Sequence, residues 1–171
     1  MPEPPPIRPA READAPAVAA IFNQGIAGRS ATFETRDQRP ERFAALITSD
    51  EPLLVAERGD GAVVGFAKIG PYDDSSHYYA GIGEATVYVE RSARRAGTGR
   101  ALLEALTEAA RDRGRHKLTA KVFADNGPSI ALFRACGWRE VGVHLRHGRL
   151  EGEWKDVLVL ERSLGDPEAR A

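Results

Sequence analysis

The chain has 171 residues, enough for one domain with a substantial core, and its 42% hydrophobic and 29% charged content is ordinary for a soluble globular protein. A formal net charge of −1 argues against a nucleic-acid binder, which is usually basic overall. The single cysteine, Cys136, excludes an internal disulfide and a cysteine-rich zinc site, while no apolar run reaches membrane-spanning length and the proline-rich start is not a signal peptide, so the expected location is the cytoplasm.

In chain order, residues 1–6 are expected to form a loose arm, and Ile7-Arg8-Pro9-Ala10 a short strand that Pro9 confines to an edge. Asp14 as N-cap, Pro16 in the first turn and Val18, Ile21, Phe22 and Gly25 on one face predict a helix. Residues 28–38 are a polar connection carrying one aromatic, Phe33, and Phe43, Leu46 and Ile47 predict a short helix after Pro40. Residues 52–57 and 62–69 read as two strands around the turn-rich Arg58-Gly59-Asp60-Gly61, a hairpin. Residues 71–83 are a polar loop with Tyr72, His77, Tyr78 and Tyr79.

Glu84-Ala85-Thr86-Val87-Tyr88-Val89 is a β-branched and aromatic run that reads as a buried strand. It leads into Arg94-Arg95-Ala96-Gly97-Thr98-Gly99-Arg100, and then Leu102, Leu103, Leu106, Ala109 and Ala110 recur at helical spacing over residues 101–113. A strand that feeds a glycine-containing basic turn opening a helix is an arrangement for phosphate, because the first-turn amides lack intrahelical partners and carry partial positive charge. Gly97 and Gly99 lack a Cβ that would keep an anion off the backbone, and three arginines surround the turn. It is not a Walker A loop, which needs Lys-Ser/Thr where Arg100-Ala101 stands. Nor is it a dinucleotide fingerprint, which needs a small residue where Leu102 stands.

Residues 118–123 form another predicted strand. Asn126 to Ser129 caps a helix with Ile130, Leu132, Phe133 and Cys136 on its apolar face, and Gly137 stops it. Residues 141–145 and 154–160 alternate as a terminal antiparallel pair, and residues 165–171 are expected to fray. With no repeat and no linker, the reading is a single mixed α/β domain over 1–171.

The Arg-x-x-Gly-x-Gly turn, behind a strand that carries an acidic residue, resembles the acyl-CoA pyrophosphate loop of the GCN5-related N-acetyltransferases (GNAT). The order of elements matches that fold over nearly the whole chain: a mostly antiparallel sheet with helices on both faces. Ala31-Thr32-Phe33-Glu34-Thr35, Glu84-x-Thr86-Val87-Tyr88-Val89, Asn126-x-x-Ser129, Cys136-Gly137-Trp138 and Gly152-x-Trp154-x-Asp156-Val157 are similar to the phosphinothricin, methionine-sulfoximine and arsinothricin N-acetyltransferase branch.

The resemblance implies acetyl-CoA as co-substrate, a small-molecule amine as acceptor, and a homodimer. It makes Glu84 the base that takes a proton from the acceptor ammonium, against the plain alternative of a solvated strand-end glutamate. Val87 to Val89 would pair with the pantetheine arm, and an amide there would polarise the thioester carbonyl. Arg94, Arg95, Ala96, Gly97, Thr98, Gly99, Arg100 and Ala101 would hold the cofactor, with the pyrophosphate on the amides of Gly97 to Ala101. Asn126 and Ser129 would touch the cofactor arm, or simply cap a helix. Phe33, Thr35, Tyr78 and Tyr88 are the expected acceptor pocket, with Arg36 or Lys68 for a substrate carboxylate and core packing as the rival role of Tyr88.

Phe133 departs from the pattern, since relatives carry histidine or tyrosine there to act on the departing thiolate. Either the thiolate leaves unaided or Tyr88, His144 or Cys136 substitutes. Cys136 on an apolar helix face reads as core, and His144-x-x-His147 is a poor metal pair because residues three apart on a strand face opposite sides. No metal is expected. Two alternatives stay open: the same chemistry on a peptide, polyamine or aminoglycoside amine, or an acyl-CoA-binding module without catalysis.

Overall fold

The apolar runs pair into one seven-stranded sheet in the order β1-β2-β3-β4-β5-β7-β6. The computed structural model describes residues 3–73 and 75–166, so the expectations for residues 1, 2 and 167–171 lie outside the described residues. The strands are β1 (Ile7–Pro9), β2 (Leu53–Glu57), β3 (Val63–Pro71), β4 (Ile82–Val89), β5 (Lys117–Phe123), β6 (Arg139–Leu150) and β7 (Glu153–Ser163). Every neighbouring pair is antiparallel except β4 and β5. That exception follows from the connection, because α3 (Thr98–Asp112) carries the chain from the end of β4 back to the start of β5.

Side chains alternate across a strand, so each strand feeds two cores. One face packs Ala85, Leu118 and Leu160 under Leu102, Leu103 and Leu106 of α3 and Phe133 of α4 (Gly127–Ala135). The other packs Val55 and Phe66, with Tyr88, under Val18, Ile21 and Phe22 of α1 (Ala15–Ala27) and Phe43 of α2 (Pro40–Ile47). Helices therefore cover both faces, as the order of elements predicts.

Some details differ from the sequence reading. Asp14 precedes α1 but makes no side-chain cap; its carboxylate accepts from the Arg8 guanidinium at 2.8 and 3.0 Å and from the Arg11 amide at 2.7 Å. The expected loose arm is tied at its end, the Pro6 carbonyl accepting from the Glu57 amide at 3.0 Å, and Pro4 lies close to Gly97. β6 is far longer than residues 141–145, continuing through two register shifts to a tight turn at Glu151 and Gly152. Among the described residues no helix is long and apolar enough to cross a membrane.

Candidate active site

β4 and β5 pair over only three rungs, the last being Glu84 with Thr119, and then diverge. The Glu90 amide donates to the Val64 carbonyl at 2.9 Å, so by antiparallel alternation Glu84, Thr86 and Tyr88 aim their backbone groups at β3. Val87 and Val89 aim theirs the other way, into the gap where β5 has left. A sheet edge thus opens inside the sheet, with polar groups ready for an extended ligand. The Val89 carbonyl accepts from Arg94 Nε at 3.2 Å, which ties the edge to the turn that follows.

That turn is built around left-handed residues, Arg95 at φ 63° and Gly97 at φ 79°. Alternating handedness turns successive amides inward as a nest. Among the described residues, the amides of residues 95–100 make no hydrogen bond, and Gly97 leaves the start of α3 without a side-chain cap. The run of free amides therefore does not coincide with the expected Gly97 to Ala101. Ala101 spends its amide on the Gly97 carbonyl at 3.0 Å, while the Arg95 and Ala96 amides are free.

The two glycines also divide their work differently. Gly97 supplies the positive φ. A Cβ on Gly99 would meet Leu132 Cδ2 at 3.1 Å, so the missing side chain lets α4 approach α3, and only the Gly99 amide is left for a ligand. Thr98 is buried and its hydroxyl donates to the Ala93 carbonyl at 3.3 Å, leaving only its amide for a ligand. Arg100 is engaged by Glu104 at 2.8 Å, whereas Arg95 is exposed and makes no ion pair among the described residues.

Glu84 sits at the point where the strands part, on the α1/α2 face. Its Oε2 lies 3.2 Å from Nζ of Lys121, which sequence reasoning missed. Leu118, Ala120 and Val122 alternate into the α3 core, so Lys121 must project on the same side as Glu84. Lys68 lies on this face too, opposite Thr86; it is half-buried, and burial pushes its ammonium pKa down while Glu84 opposes that shift. Thr119 is also buried here, with a hydroxyl that has no hydrogen-bond partner among the described residues.

Residues 28–38 cross over this face and are tied at several points. Arg29 pairs with Glu151 at 2.8 Å, the Ser30 carbonyl accepts from Asn126 Nδ2 at 2.9 Å, and the Ala31 carbonyl accepts from the Tyr88 hydroxyl at 3.3 Å. Phe33 lies edge-on to Phe123 at 4.8 Å and covers Gly148. Asn126 caps α4 as well, Oδ1 accepting from the Ser129 amide at 3.2 Å. Its side chain is committed to the cap and the crossing loop together.

The expected acceptor residues separate into two groups. Tyr88 and Phe33 bound the site from either side, although Tyr88 is also core, stacked on Phe66 at 5.4 Å; burial pushes its phenol up to about 12. Thr35 and Arg36 are exposed in the loop, and Tyr78 is 78% exposed with its ring against His77, so among the described residues no contact brings these three to Glu84.

Of the candidate thiolate donors Tyr88 borders the site, its hydroxyl donating to the Ala31 carbonyl, while no contact among the described residues brings Cys136 or His144 there. Phe133 is core, edge-on to Trp138 at 4.8 Å. Cys136 is buried at the base of an open groove of about 600 Å³ with Arg100, Glu104 and Arg162, and burial pushes its thiol up. His144 stacks on His147 at 4.3 Å, because the irregularity after His144 and the left-handed Arg146 put both rings on one side. That overturns the reasoning that they face apart. Even so, no group of three or more metal-ligating side chains exists among the described residues.

The family model described as the acetyltransferase (GNAT) family matches residues 20–138. An L-methionine sulfoximine/L-methionine sulfone acetyltransferase of Pseudomonas paraeruginosa is 32% identical over 169 residues, which are 96% of this chain and 97% of that protein. Among solved structures, a ribosomal-protein-alanine N-acetyltransferase from Brucella melitensis is 37% identical with a TM-score of 0.88, over 92% of this chain and 99% of that one. A phosphinothricin acetyltransferase from Sinorhizobium meliloti in complex with acetyl-CoA is 28% identical with a TM-score of 0.88, over 95% and 90%.

Proposed function

The chain belongs to the GNAT acetyltransferase family, and on that premise we propose that it moves the acetyl group of acetyl-CoA, by direct attack, onto the α-amine of a small amino-acid-like acceptor such as phosphinothricin or methionine sulfoximine. The observation that carries the reading is the coincidence of Glu84 with the last rung between β4 and β5. Acetyl-CoA supplies an activated acyl group. The free amides of residues 95–100, with Arg94 and Arg95 beside them, suit its pyrophosphate. The open edge at Val87 and Val89 suits the amides of its pantetheine arm, and Ser129 lies beyond it at the start of α4.

A primary amine is mostly ammonium at neutral pH and cannot attack until it loses a proton, which Glu84 accepts at the mouth of the gap. An amide at Val87 or Val89 polarises the thioester carbonyl. With only Phe133 near the relevant turn of α4, the thiolate leaves without a protein acid; a free thiol has a pKa of about 8.5, so this costs little.

A peptide amino terminus is the second reading, favoured by the 37% identity to the Brucella protein. Thiol release from acetyl-CoA, measured against methionine sulfoximine, phosphinothricin, an alanyl peptide and a polyamine, decides between them. Activity confined to the peptide or the polyamine would overturn the amino-acid reading. A homodimer is also proposed, supported by the family resemblance and by the edge strand β6, where Val141, Val143 and Leu145 are exposed.

A further inference from the structure

Lys121 stands two residues beyond the last β4–β5 rung, and the one charged group it meets among the described residues is Glu84. Other cations bordering this face are spent elsewhere: Arg42 on Glu34 at 2.8 Å, Lys117 on Glu161 at 3.3 Å, Lys155 on Asp125 at 2.9 Å and Arg29 on Glu151 at 2.8 Å. Lys68 is on the far side of β4 from Lys121, and burial weakens its hold on a proton. An ammonium has three donors, so Lys121 keeps two after reaching Glu84.

Resting on the acetyl-transfer reading, we propose that Lys121 receives the acceptor's carboxylate, so that the Glu84–Lys121 pair recognises the zwitterion of an α-amino acid as a unit. The charges make the case. Glu84 and Lys121 are together neutral, and a zwitterion laid against them is neutral too, its ammonium on the Glu84 carboxylate and its carboxylate on Lys121. A plain amine or an ester brings the ammonium alone. It must then share Glu84 with Lys121, two cations on one carboxylate. Like charges crowded at a partly buried point oppose binding strongly. The pair therefore favours free amino acids over their esters, amides and simple amines, and no residue of the crossing loop is needed for that choice.

The test compares kcat/KM for methionine sulfoximine and its methyl ester in wild type, Lys121→Met and Lys121→Arg, with acetyl-CoA binding followed by the shift in Tm. Wild type should prefer the free acid. Lys121→Met should lower kcat/KM on the acid by ~10- to 100-fold, the worth of a hydrogen bond to a charged group, and the acid-over-ester preference should collapse. Lys121→Arg should keep most of that preference, and all three should bind acetyl-CoA alike. Equal losses on acid and ester would overturn the proposal while leaving acetyl transfer standing, since Lys121 would then serve only Glu84. No acetylation of either compound by wild type, with transfer to the peptide intact, would overturn the amino-acid reading and this proposal together.

Discussion

The Asn126 side chain donates from Nδ2 to the Ser30 carbonyl at 2.9 Å, across 96 residues of sequence, while its Oδ1 caps α4. One residue thus fixes the start of the helix and holds the loop that crosses the Glu84 face of the sheet. Asn126→Asp keeps a good capping oxygen but replaces the donor with a carboxylate facing a carbonyl. It should leave stability within about 1 kcal/mol and raise KM for the acceptor. Asn126→Ala loses both contacts and should cost about 1–2 kcal/mol in urea unfolding. Equal KM effects with no effect on the loop's hydrogen exchange would dissociate Asn126 from the crossing loop.

Gly97 and Gly99 should respond differently to substitution. Gly97→Val forces a β-branched residue to φ 79° and distorts the nest, so the rise in Tm that acetyl-CoA produces by mass action should disappear. Gly99→Ala presses on Leu132 and should lower stability by about 1 kcal/mol while acetyl-CoA still raises Tm. Wild-type binding by the Gly97 variant would mean that the phosphate lies elsewhere.

The Arg8–Asp14 contact makes a prediction about pH. The hydrogen bonds from Arg8 hold Asp14 below the usual carboxylate range, with the Arg11 amide adding to them against the opposing effect of burial. A folded-state pKa below the unfolded one gives stability that is complete above the unfolded value and lost as pH falls through the folded value. Asp14→Asn should therefore be less stable than wild type by about 1–2 kcal/mol at neutral pH, and the two should converge as pH falls below the usual carboxylate range. A gap independent of pH would assign the effect to shape instead of charge.

Much of this architecture can be read from residues alone, because alternating apolar runs and glycine turns carry their own geometry. The β4 run, the basic turn and α3 are an example. The parting of β4 and β5 cannot be read so, since it depends on a parallel register that no local pattern encodes. Lys121 is hidden for the same reason: in Lys-Leu-Thr-Ala-Lys-Val-Phe the second lysine looks solvated, and only the strand's alternation beside Glu84 gives it a partner. Thr35, Arg36 and Tyr78, expected in the acceptor pocket, are exposed and make no contact with Glu84 among the described residues, because the path a loop takes over a sheet is not encoded in its own residues. β6 beyond Leu145 was missed because Arg146 to Arg149 is polar and irregular, held to β7 by the Arg146 amide on Asp156 at 2.7 Å.

The most direct test of the account is Glu84→Gln, assayed for thiol release with saturating acetyl-CoA and methionine sulfoximine. Glutamine keeps the shape but cannot take a proton, so turnover should fall by ~10²-fold or more while the acetyl-CoA shift in Tm is retained. Turnover equal to wild type at neutral pH would contradict the role of Glu84 and, with it, the placement of the chemistry where β4 and β5 part.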